Sequence, residues 1–437
     1  MRRRVLAGGL LLLLAGCSVV LGLDPPTYDG PILTPDATVD TATPEAAAPI
    51  LPGKLDDPAR WSTFKGPGGG YVAGPFDGRF IYFLRSSDQD GADAGLTGSR
   101  ILRYDTQAAA FDDPKTWTTF DPEVALGTTG PHVTATLEGK YLVVGAYADN
   151  VFLRFDTTQK ETDFGFSSSW ERYDATKLHP GTTRYSGAVA VADGGTLFSN
   201  GTGYVPLIHR GESFDAGWES TEYDGGTFPG SCGTTSTGLC SPKAAFLTPA
   251  GNEKIACLAR YDVSKTLATG FDSFDLTELG DDYAFISGGV MSPQHLYLTQ
   301  YNTRDAAAPT RVFRRPLEGA LDAGWEGQPT NGKNPLTRGF IGGVYDGRYI
   351  YFSPYPAPTT TVIFARYDTT LGFSDANAWD IAAGAAMGIP ANRYWGAVFD
   401  GQYVYYSAYV GLGNEPPTFA RFKAFDTKMP VPPACHP

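Results

Sequence analysis

The stretch GGVYDGRYIYFSPYPAPTTTVIFARYDTTLGFSDANAW, residues 342–379, contains the pattern that decides the fold. It begins with small residues that lead to Asp346-Gly347, and the aromatic segment Tyr349–Phe352 follows directly. Asp-Gly between two apolar runs predicts a β-hairpin, because glycine adopts the positive φ that a type I′ turn needs. After a variable loop, a segment ending in Arg366-Tyr-Asp-Thr369 precedes a short segment that starts near Trp379. The stretch therefore predicts four short antiparallel strands.

The same elements recur along the chain about every fifty residues. Six of the seven tryptophans mark the last strand of a unit: Trp61, Trp117, Trp170, Trp218, Trp325 and Trp379. The segment before that strand recurs as Arg103–Thr106, Arg154–Thr157, Arg260–Val263, Arg366–Thr369 and, in degenerate form, Phe425–Thr427. Four strands per unit at this period are typical of the blades of a β-propeller. No helical period appears in the sequence.

Seven units begin near Gly70, Gly130, Arg184, Cys240, Tyr283, Arg338 and Arg393. The seventh unit lacks a tryptophan strand after Thr427, but the segment Asp56–Phe64 closely matches Asp112–Phe120. We therefore predict an all-β fold, a seven-bladed β-propeller of four-stranded antiparallel blades. The N-terminal strand is expected to close the last blade, which leaves no open sheet edge between the first blade and the last.

The order of tyrosine, turn and tryptophan within each unit resembles the second half of a Kelch repeat. The body of the chain, from Asp56 to Thr427, is similar to Kelch and galactose-oxidase-like propellers. This resemblance implies the architecture alone, so the copper chemistry of galactose oxidase is not carried over to this sequence.

The N-terminus combines three arginines, the apolar run Val5–Leu14 and small residues before Cys17. This combination is typical of a signal peptide, and the apolar run is too short to span a bilayer comfortably. Leu14-Ala15-Gly16-Cys17 resembles the bacterial lipobox, which implies that Cys17 is lipidated and becomes the new N-terminus. The resemblance implies a lipid-anchored protein of the bacterial cell envelope, at the outer membrane in Gram-negative cells.

Four segments follow from these patterns. Residues 1–16 are predicted to be the signal peptide, 17–55 a flexible tether rich in Pro, Thr and Ala, 56–427 the propeller and 428–437 a C-terminal tail. The formal net charge of the chain is -13. Because an acidic protein repels phosphate backbones, we expect no nucleic-acid partner.

Residues that break the repeat are the candidates for binding, since the repeated ones are needed for packing between blades. The loops that lead into the innermost strands should surround one mouth of the central channel. They contribute His132, Arg184, Tyr185, Tyr283, Arg338, Arg393 and Trp395, and Trp395 is the one tryptophan outside the repeat position. Arginine and aromatic side chains together suit sugars or anionic small molecules, whereas a solvated rim of ordinary turn residues is the alternative.

These candidates predict a binding or scaffolding propeller, for a glycan, a small anionic ligand or a protein partner. The alternative is a polysaccharide-active hydrolase or lyase with its site at the same channel mouth. A protein partner could also use the proline-rich loop Pro354–Pro358. The sequence contains no HExxH motif, no phosphate-binding loop and no Gly-x-Ser-x-Gly elbow, so we assign no catalytic residue.

The cysteines and one acidic loop are two further features of the sequence. Disulfides are expected in an exported protein, and Cys232 and Cys240 lie eight residues apart in a Gly-, Ser- and Thr-rich segment. We predict that these two pair, and we leave Cys257 and Cys435 unassigned. Asp88, Asp90 and Asp93 could offer three carboxylates to Ca²⁺, with a solvated polar loop as the alternative. No other cofactor is expected.

Overall fold

The computed structural model describes residues 52–86, 99–108, 110–147, 149–178, 185–200, 206–221, 235–250, 256–302, 309–330, 338–356, 361–411 and 417–433. All of them belong to one compact unit, Ile50–Pro437. These residues form seven four-stranded antiparallel sheets, which confirms the predicted seven-bladed β-propeller. Within them the structure contains one short α-helix, α1 (Pro122–Leu126), and several 3₁₀ turns.

Four blades are formed by the first part of the chain, after strand β1 (Trp61–Lys65). Blade 1 contains β2 (Tyr71–Phe76), β3 (Phe80–Arg85), β4 (Ile101–Asp105) and β5 (Trp117–Phe120). Blade 2 contains β6 (His132–Glu138), β7 (Tyr141–Ala146), β8 (Val151–Asp156) and β9 (Trp170–Asp174). Blade 3 contains β10 (Tyr185–Ala190), β11 (Thr196–Asn200), β12 (Leu207–His209) and β13 (Trp218–Ser220). Blade 4 contains β14 (Thr235–Cys240), β15 (Ala244–Pro249), β16 (Cys257–Asp262) and β17 (Phe271–Asp275).

Three further blades complete the ring. Blade 5 contains β18 (Ile286–Met291), β19 (His295–Gln300), β20 (Arg311–Pro316) and β21 (Glu326–Pro329). Blade 6 contains β22 (Phe340–Tyr345), β23 (Tyr349–Pro354), β24 (Ile363–Asp368) and β25 (Trp379–Ala383). Blade 7 contains β26 (Asn392–Phe399), β27 (Tyr403–Gly411), β28 (Thr418–Lys423) and β1. In blades 1 to 6 the innermost strand comes first in the chain and the outermost strand comes last. In blade 7 the innermost strand is β26, and β1 fills the outermost position.

The Asp-Gly turns connect the first and second strands as the sequence predicts. In blade 6 the Asp346 carboxylate accepts hydrogen bonds from the backbone N–H groups of Arg348 and Tyr349, at 2.8 and 2.6 Å. Gly347, which lies between Asp346 and Arg348, has a φ of 107°, which a residue with a Cβ rarely adopts. Because the aspartate satisfies two turn donors and the glycine takes the left-handed conformation, this dipeptide fixes the hairpin locally.

The repeated Arg-Tyr-Asp-Thr segment joins strands within a blade. In blade 2 the Arg154 guanidinium donates to the Glu171 carboxylate on the neighbouring strand, at 2.7 Å for the shortest contact. Thr157 donates its hydroxyl hydrogen to the carbonyl of Lys140 at 2.8 Å, and the Asp156 carboxylate accepts from the Lys140 ammonium at 2.6 Å. The motif recurs because each blade needs these contacts to hold its third strand.

The repeated tryptophans lie at the seams, as we call the interfaces between neighbouring blades. Trp117 stacks on Phe64 with ring centroids 4.4 Å apart, and Trp170 stacks on Phe120 at the same distance. The indole N–H of Trp117 donates to the carbonyl of Phe111 at 3.0 Å. Trp325 departs from this pattern, since it is only half-buried. The seams therefore combine ring stacking with a satisfied indole donor in most blades.

Strand β1 closes the ring. It pairs with β28 in antiparallel register from Trp61 opposite Phe422 to Lys65 opposite Thr418. Each innermost strand lies beside the innermost strands of both flanking blades, including β26 beside β2. Contacts with the propeller begin before Asp56, because the backbone N–H of Gly53 donates to the carbonyl of Ala424. Leu55 is fully buried in the core of blade 7, so the propeller starts slightly earlier than the predicted boundary at residue 56.

The start of blade 4 also differs from the prediction. Its first strand begins at Thr235, and Cys240 is the last residue of that strand. The segment Thr235–Cys240 consists mainly of Thr, Ser and Gly, so it lacks the apolar alternation by which the other innermost strands are recognised.

Candidate binding site

The loops that lead into the innermost strands lie at one end of the ring, which we call the upper mouth. The loops between the second and third strands lie at the same end, because consecutive strands of a blade are antiparallel. All seven innermost strands shift register against their neighbouring second strand. Such bulges bend a strand and change the direction of its side chains, and they are common next to binding sites.

Trp395 lies at the bulge of blade 7. The register shift falls between Tyr394 and Ala397, and the same position is occupied by Ile341 in blade 6 and Ser287 in blade 5. Gly396, the next residue, has a φ of 82°. Trp395 is half-buried and also packs against the core cluster of blades 1 and 2. Trp395, the predicted binding tryptophan, therefore places an aromatic ring at a position that blades 5 and 6 fill with smaller side chains.

Five rings from three blades form a continuous series around this part of the upper mouth. We call this series the aromatic arc, and its members are Phe285, Tyr301, Tyr355, Tyr409 and Trp395. The centroid distances are 5.9 Å from Phe285 to Tyr301, 6.1 Å from Tyr301 to Tyr355 and 6.2 Å from Tyr355 to Trp395. Tyr409 lies 4.7 Å from Trp395 and 6.0 Å from Tyr355. Most of these pairs meet edge to face, so neighbouring rings face different directions.

Arg393 joins the aromatic arc from the start of β26. Its guanidinium carbon lies 4.9 Å from the centroid of the Tyr355 ring, and its Nε donates to the carbonyl of Pro356 at 3.2 Å. Arg338 is half-buried and directly precedes Gly339, whose backbone approaches the carbonyls of Tyr355 and Tyr301. The structure thus brings together Arg393 and Trp395 of the predicted set at the Tyr355 ring, and it places the backbone next to Arg338 against the same tyrosine.

Two other predicted residues, His132 and Tyr185, lie in the interior instead, and a third, Tyr283, is half-buried against blade 5. His132 is buried, with Nδ1 2.9 Å from the Ser99 hydroxyl and Nε2 3.0 Å from the carbonyl of Val151. A carbonyl can only accept, so Nε2 carries the proton, and burial lowers the pKa of His132 and keeps the ring neutral. Tyr185 is buried against Phe152, and Tyr283 stacks on Phe313 in blade 5, where burial raises its pKa.

The remaining predicted residues lie outside the described part of the chain. These are Cys17, Arg184, Cys232, Asp88, Asp90 and Asp93. The Ca²⁺ site therefore remains a prediction. Among the described residues, no group of three or more His, Cys, Asp or Glu side chains could hold a metal ion.

The disulfide between Cys232 and Cys240 also remains a prediction. Cys240 ends β14 at the end of blade 4 opposite the upper mouth, which we call the lower end. Cys257 begins β16 at the end nearest the upper mouth. Five strand steps of about 3.3 Å separate Cys240 from Thr235 at the upper end of β14. Cys232 itself lies outside the described residues.

Sequence reasoning missed three tyrosines of the aromatic arc, although the repeat contains a signal for them. Tyr301, Tyr355 and Tyr409 recur at intervals of 54 residues, directly after or near the end of the second strand of their blades. The backbone N–H of Tyr355 donates to the carbonyl of Gly339, and that of Tyr301 donates to the carbonyl of Phe285. Tyr147 in blade 2 and Ser86 in blade 1 donate in the same way, so they occupy the equivalent position.

The comparisons with known proteins support the fold. No family model matches the sequence, and no curated protein matches it. A catalytically inactive virginiamycin B lyase from Staphylococcus aureus, solved with Quinupristin, is similar with a TM-score of 0.55 and 12% identity over 83% of this chain and 98% of that one. The β-propeller domain of Cps50 (Swd1) from Myceliophteria thermophila has a TM-score of 0.50 and 11% identity, over 86% of this chain and 99% of that one.

YCF48 bound to D1 peptide is also similar, with a TM-score of 0.50 and 11% identity over 85% of this chain and 99% of that one. At these identities the likeness concerns the fold alone, and the Kelch resemblance remains a prediction. The chain is a seven-bladed β-propeller with an aromatic and arginine-containing upper mouth on blades 5 to 7.

Proposed function

We propose that this protein is a lipid-anchored binding propeller of the bacterial cell envelope, and that its ligand binds at the upper mouth on the aromatic arc. One observation carries the proposal. Three blades contribute five aromatic rings and a stacked arginine to one opening, and four of these rings are half-buried, whereas most repeated seam rings are buried. A contiguous group of partly exposed rings on a propeller is a common form of binding surface.

The chemistry of the arc favours binding over catalysis. Its members are aromatic rings and a guanidinium group, which stack, donate hydrogen bonds and attract anions but do not exchange protons at neutral pH. Burial raises the pKa of Tyr301, so its hydroxyl stays protonated. Arg393 is held by the Pro356 carbonyl and the Tyr355 ring, which limits the loss of side-chain entropy when a ligand binds.

The binding experiment uses the full chain in detergent micelles on an array of glycans and synthetic peptides. The test variant is Trp395→Ile, which introduces the residue that blade 6 has at the same register position and should therefore fold normally. The matched control is Tyr147→Ser, which alters the equivalent of Tyr355 outside the arc and introduces the residue of blade 1.

We expect at least one array ligand that binds the wild type and Tyr147→Ser equally but binds Trp395→Ile at least tenfold more weakly. Melting temperatures should agree among the three proteins. If every ligand of the wild type binds Trp395→Ile with the same affinity, the upper mouth is not the binding site.

The membrane anchor is proposed from the N-terminal sequence. Three arginines, a short apolar run and Leu14–Cys17 support a lipoprotein signal, with the outer membrane as its expected destination. None of the helical segments in the described residues has the length and apolar character that crossing a bilayer would need. Cys17→Ser should move the protein from the membrane fraction to the soluble fraction. A variant that stays in the membrane and is processed normally would show that lipidation at Cys17 is not the anchor.

A further inference from the structure

We infer that the ligand of the aromatic arc is a glycan, whose sugar rings stack on Trp395, Tyr355 and their neighbours. This inference rests on the proposed function and specifies the chemical class of its ligand. Three features of the arc carry it: the serial arrangement of the rings, the way in which the arginine is used, and the backbone conformation of Phe285.

The arrangement of the rings suits a chain of flat units. Successive centroids from Phe285 to Trp395 are separated by 5.9, 6.1 and 6.2 Å, and the series extends over three blades. The planes of Tyr301 and Tyr355 meet at 86°, and those of Tyr355 and Trp395 meet at 87°. A single small molecule could contact one or two such faces. An oligosaccharide presents an apolar C–H face with a rim of hydroxyl groups in every unit, so it can use several of them at once.

The arginine of the arc lies against an aromatic ring. Arg393 lies against the Tyr355 ring, and its Nε already donates to the Pro356 carbonyl. A site for a small anion would instead direct the parallel N–H groups of arginines towards one point. The tyrosine hydroxyls of the arc both donate and accept hydrogen bonds, as sugar hydroxyls do. The mixture of ring faces and hydroxyl partners therefore matches a glycan better than a carboxylate or a phosphate.

Phe285 supplies an independent observation. It has a φ of 57° and is the one non-glycine residue with a positive φ in the described part of the chain. Gly339 occupies the equivalent position in blade 6 with a φ of 75°, directly before the innermost strand. A left-handed conformation is unfavourable for a bulky side chain and is typically found where function requires that side chain. The position accepts glycine, so the presence of Phe285 favours a role for its ring.

The backbone of Gly339 packs closely against the backbone of two tyrosines of the arc. A Cβ atom at Gly339 would overlap the carbonyl oxygen of Tyr355 and would lie 2.6 Å from that of Tyr301. These contacts leave no room for a side chain between the two tyrosines. This packing thus holds together the backbone segments that carry Tyr301 and Tyr355, which limits the backbone entropy lost when a multi-unit ligand binds.

The test combines three substitutions that the repeat itself supplies. Trp395→Ile and Tyr355→Ser introduce the residues of blades 6 and 1 at the equivalent positions, and Phe285→Gly introduces the residue of blade 6. Tyr147→Ser is the matched control. Binding is measured with the full chain in detergent micelles, by calorimetry with neutral and uronic-acid-containing oligosaccharides and with synthetic peptides, and by tryptophan fluorescence of the wild type against Trp395→Ile.

We expect an oligosaccharide to bind the wild type and to quench its fluorescence, with quenching absent in Trp395→Ile. Affinity should fall at least tenfold in Trp395→Ile and Tyr355→Ser, and about three- to tenfold in Phe285→Gly, while Tyr147→Ser is unchanged. Phe285→Gly should melt at the wild-type temperature or above it, because glycine relieves the backbone strain. A merely structural role for Phe285 would instead lower the melting temperature.

The outcomes separate this inference from the proposed function. If a peptide binds with dependence on Trp395 and no oligosaccharide does, the glycan inference is wrong and the proposed site stands. If neither oligosaccharide nor peptide binding depends on Trp395, both are wrong. Binding of an oligosaccharide that is lost in Trp395→Ile but unaffected in Phe285→Gly would overturn the role assigned to Phe285.

Discussion

The propeller uses aromatic rings in two regions, the seams and the upper mouth, and the two differ in geometry and in repetition. At the seams, Trp117 and Phe64 stack with their planes 13° apart, and Trp170 and Phe120 with theirs 5° apart. In the aromatic arc, Tyr355 and Trp395 meet at 87° with centroids 6.2 Å apart. The seam stacks are mostly buried, whereas the arc is largely half-buried and belongs to three blades.

The difference shows which aromatic residues the fold requires. A side chain that recurs in nearly every blade and stacks at the seam contributes to holding neighbouring sheets together. A ring such as Trp395, at a position that other blades fill with isoleucine or serine, is not required for that packing. A buried aromatic residue that recurs in most blades therefore indicates a role in stability. An aromatic residue that departs from the repeat and is partly exposed indicates a role in binding.

The largest effect is expected where a seam loses a whole strand. Removing residues up to Lys65 deletes β1, and with it the Trp61 indole that donates to Leu55 and the Phe64 ring that stacks on Trp117. We expect a large fall in the melting temperature and aggregation through the exposed edge of β28. Removing residues up to Leu51 should leave the melting temperature unchanged. Equal melting of the two truncated proteins would show that the ring closes without β1.

A single seam substitution should have a smaller effect than loss of the strand. Trp117→Ala removes a buried ring from contact with Phe64, Tyr104 and Phe83, and we expect a loss of about 3–5 kcal/mol in the free energy of unfolding. Trp395→Ile should cost less than Trp117→Ala, because Trp395 is only half-buried and isoleucine is the residue of blade 6 there. Denaturant unfolding measures both losses. Equal losses of unfolding free energy in the two variants would contradict the comparison between the seams and the upper mouth.

An effect smaller than that of Trp117→Ala is expected for an ion pair at the lower end of blade 6, between Arg348 and Asp368. Burial alone would raise the pKa of Asp368, but hydrogen bonds from Arg348 and Thr370 outweigh it and lower the pKa to about 2. The charged form is therefore favoured in the folded protein, and this stabilisation is present above pH 4 and is lost as the pH falls towards 2. Asp368→Asn should cost about 2 kcal/mol at neutral pH and almost nothing near pH 2.

The control for this prediction is Asp262→Asn, at the same repeat position in blade 4. Asp262 pairs with Lys265 at 3.5 Å and is more exposed to solvent, so its substitution should have a smaller effect at neutral pH. Unfolding measured from pH 2 to 7 tests both variants. A loss that does not depend on pH would show that packing, not the ion pair, explains the effect of Asp368→Asn.

Much of the fold could be predicted because its signals are local and repeated. The Asp-Gly turns, the Arg-Tyr-Asp-Thr segments and the tryptophans mark strands by short-range chemistry, and copies of one unit reinforce each other. The match between Asp56–Phe64 and Asp112–Phe120 predicted the closing strand, and the pairing of β1 with β28 confirms it. The start of blade 4 was predicted near Cys240 instead of at Thr235, because Thr235–Cys240 has no apolar pattern.

The candidate site could be predicted only in part. Position in the repeat indicated that His132, Tyr185 and Trp395 lie in the loops that lead into the innermost strands. In the structure His132 and Tyr185 are the first residues of such strands, and Trp395 lies within one. Which way each side chain points depends on the bulge and on the neighbouring blade. His132 and Tyr185 are buried, whereas Trp395 is half-buried at the mouth.

The sequence by itself determined the number of blades, their strand order and the strand that closes the ring, because the hairpin turns and repeated aromatic residues act within or between adjacent segments. Only the tertiary structure decided which rings from different blades meet. Tyr301, Tyr355 and Trp395 lie far apart in the chain, and closure of the ring brings them within about 6 Å of one another in series. The left-handed conformation of Phe285 is likewise invisible in the sequence, since it follows from the backbone path into blade 5.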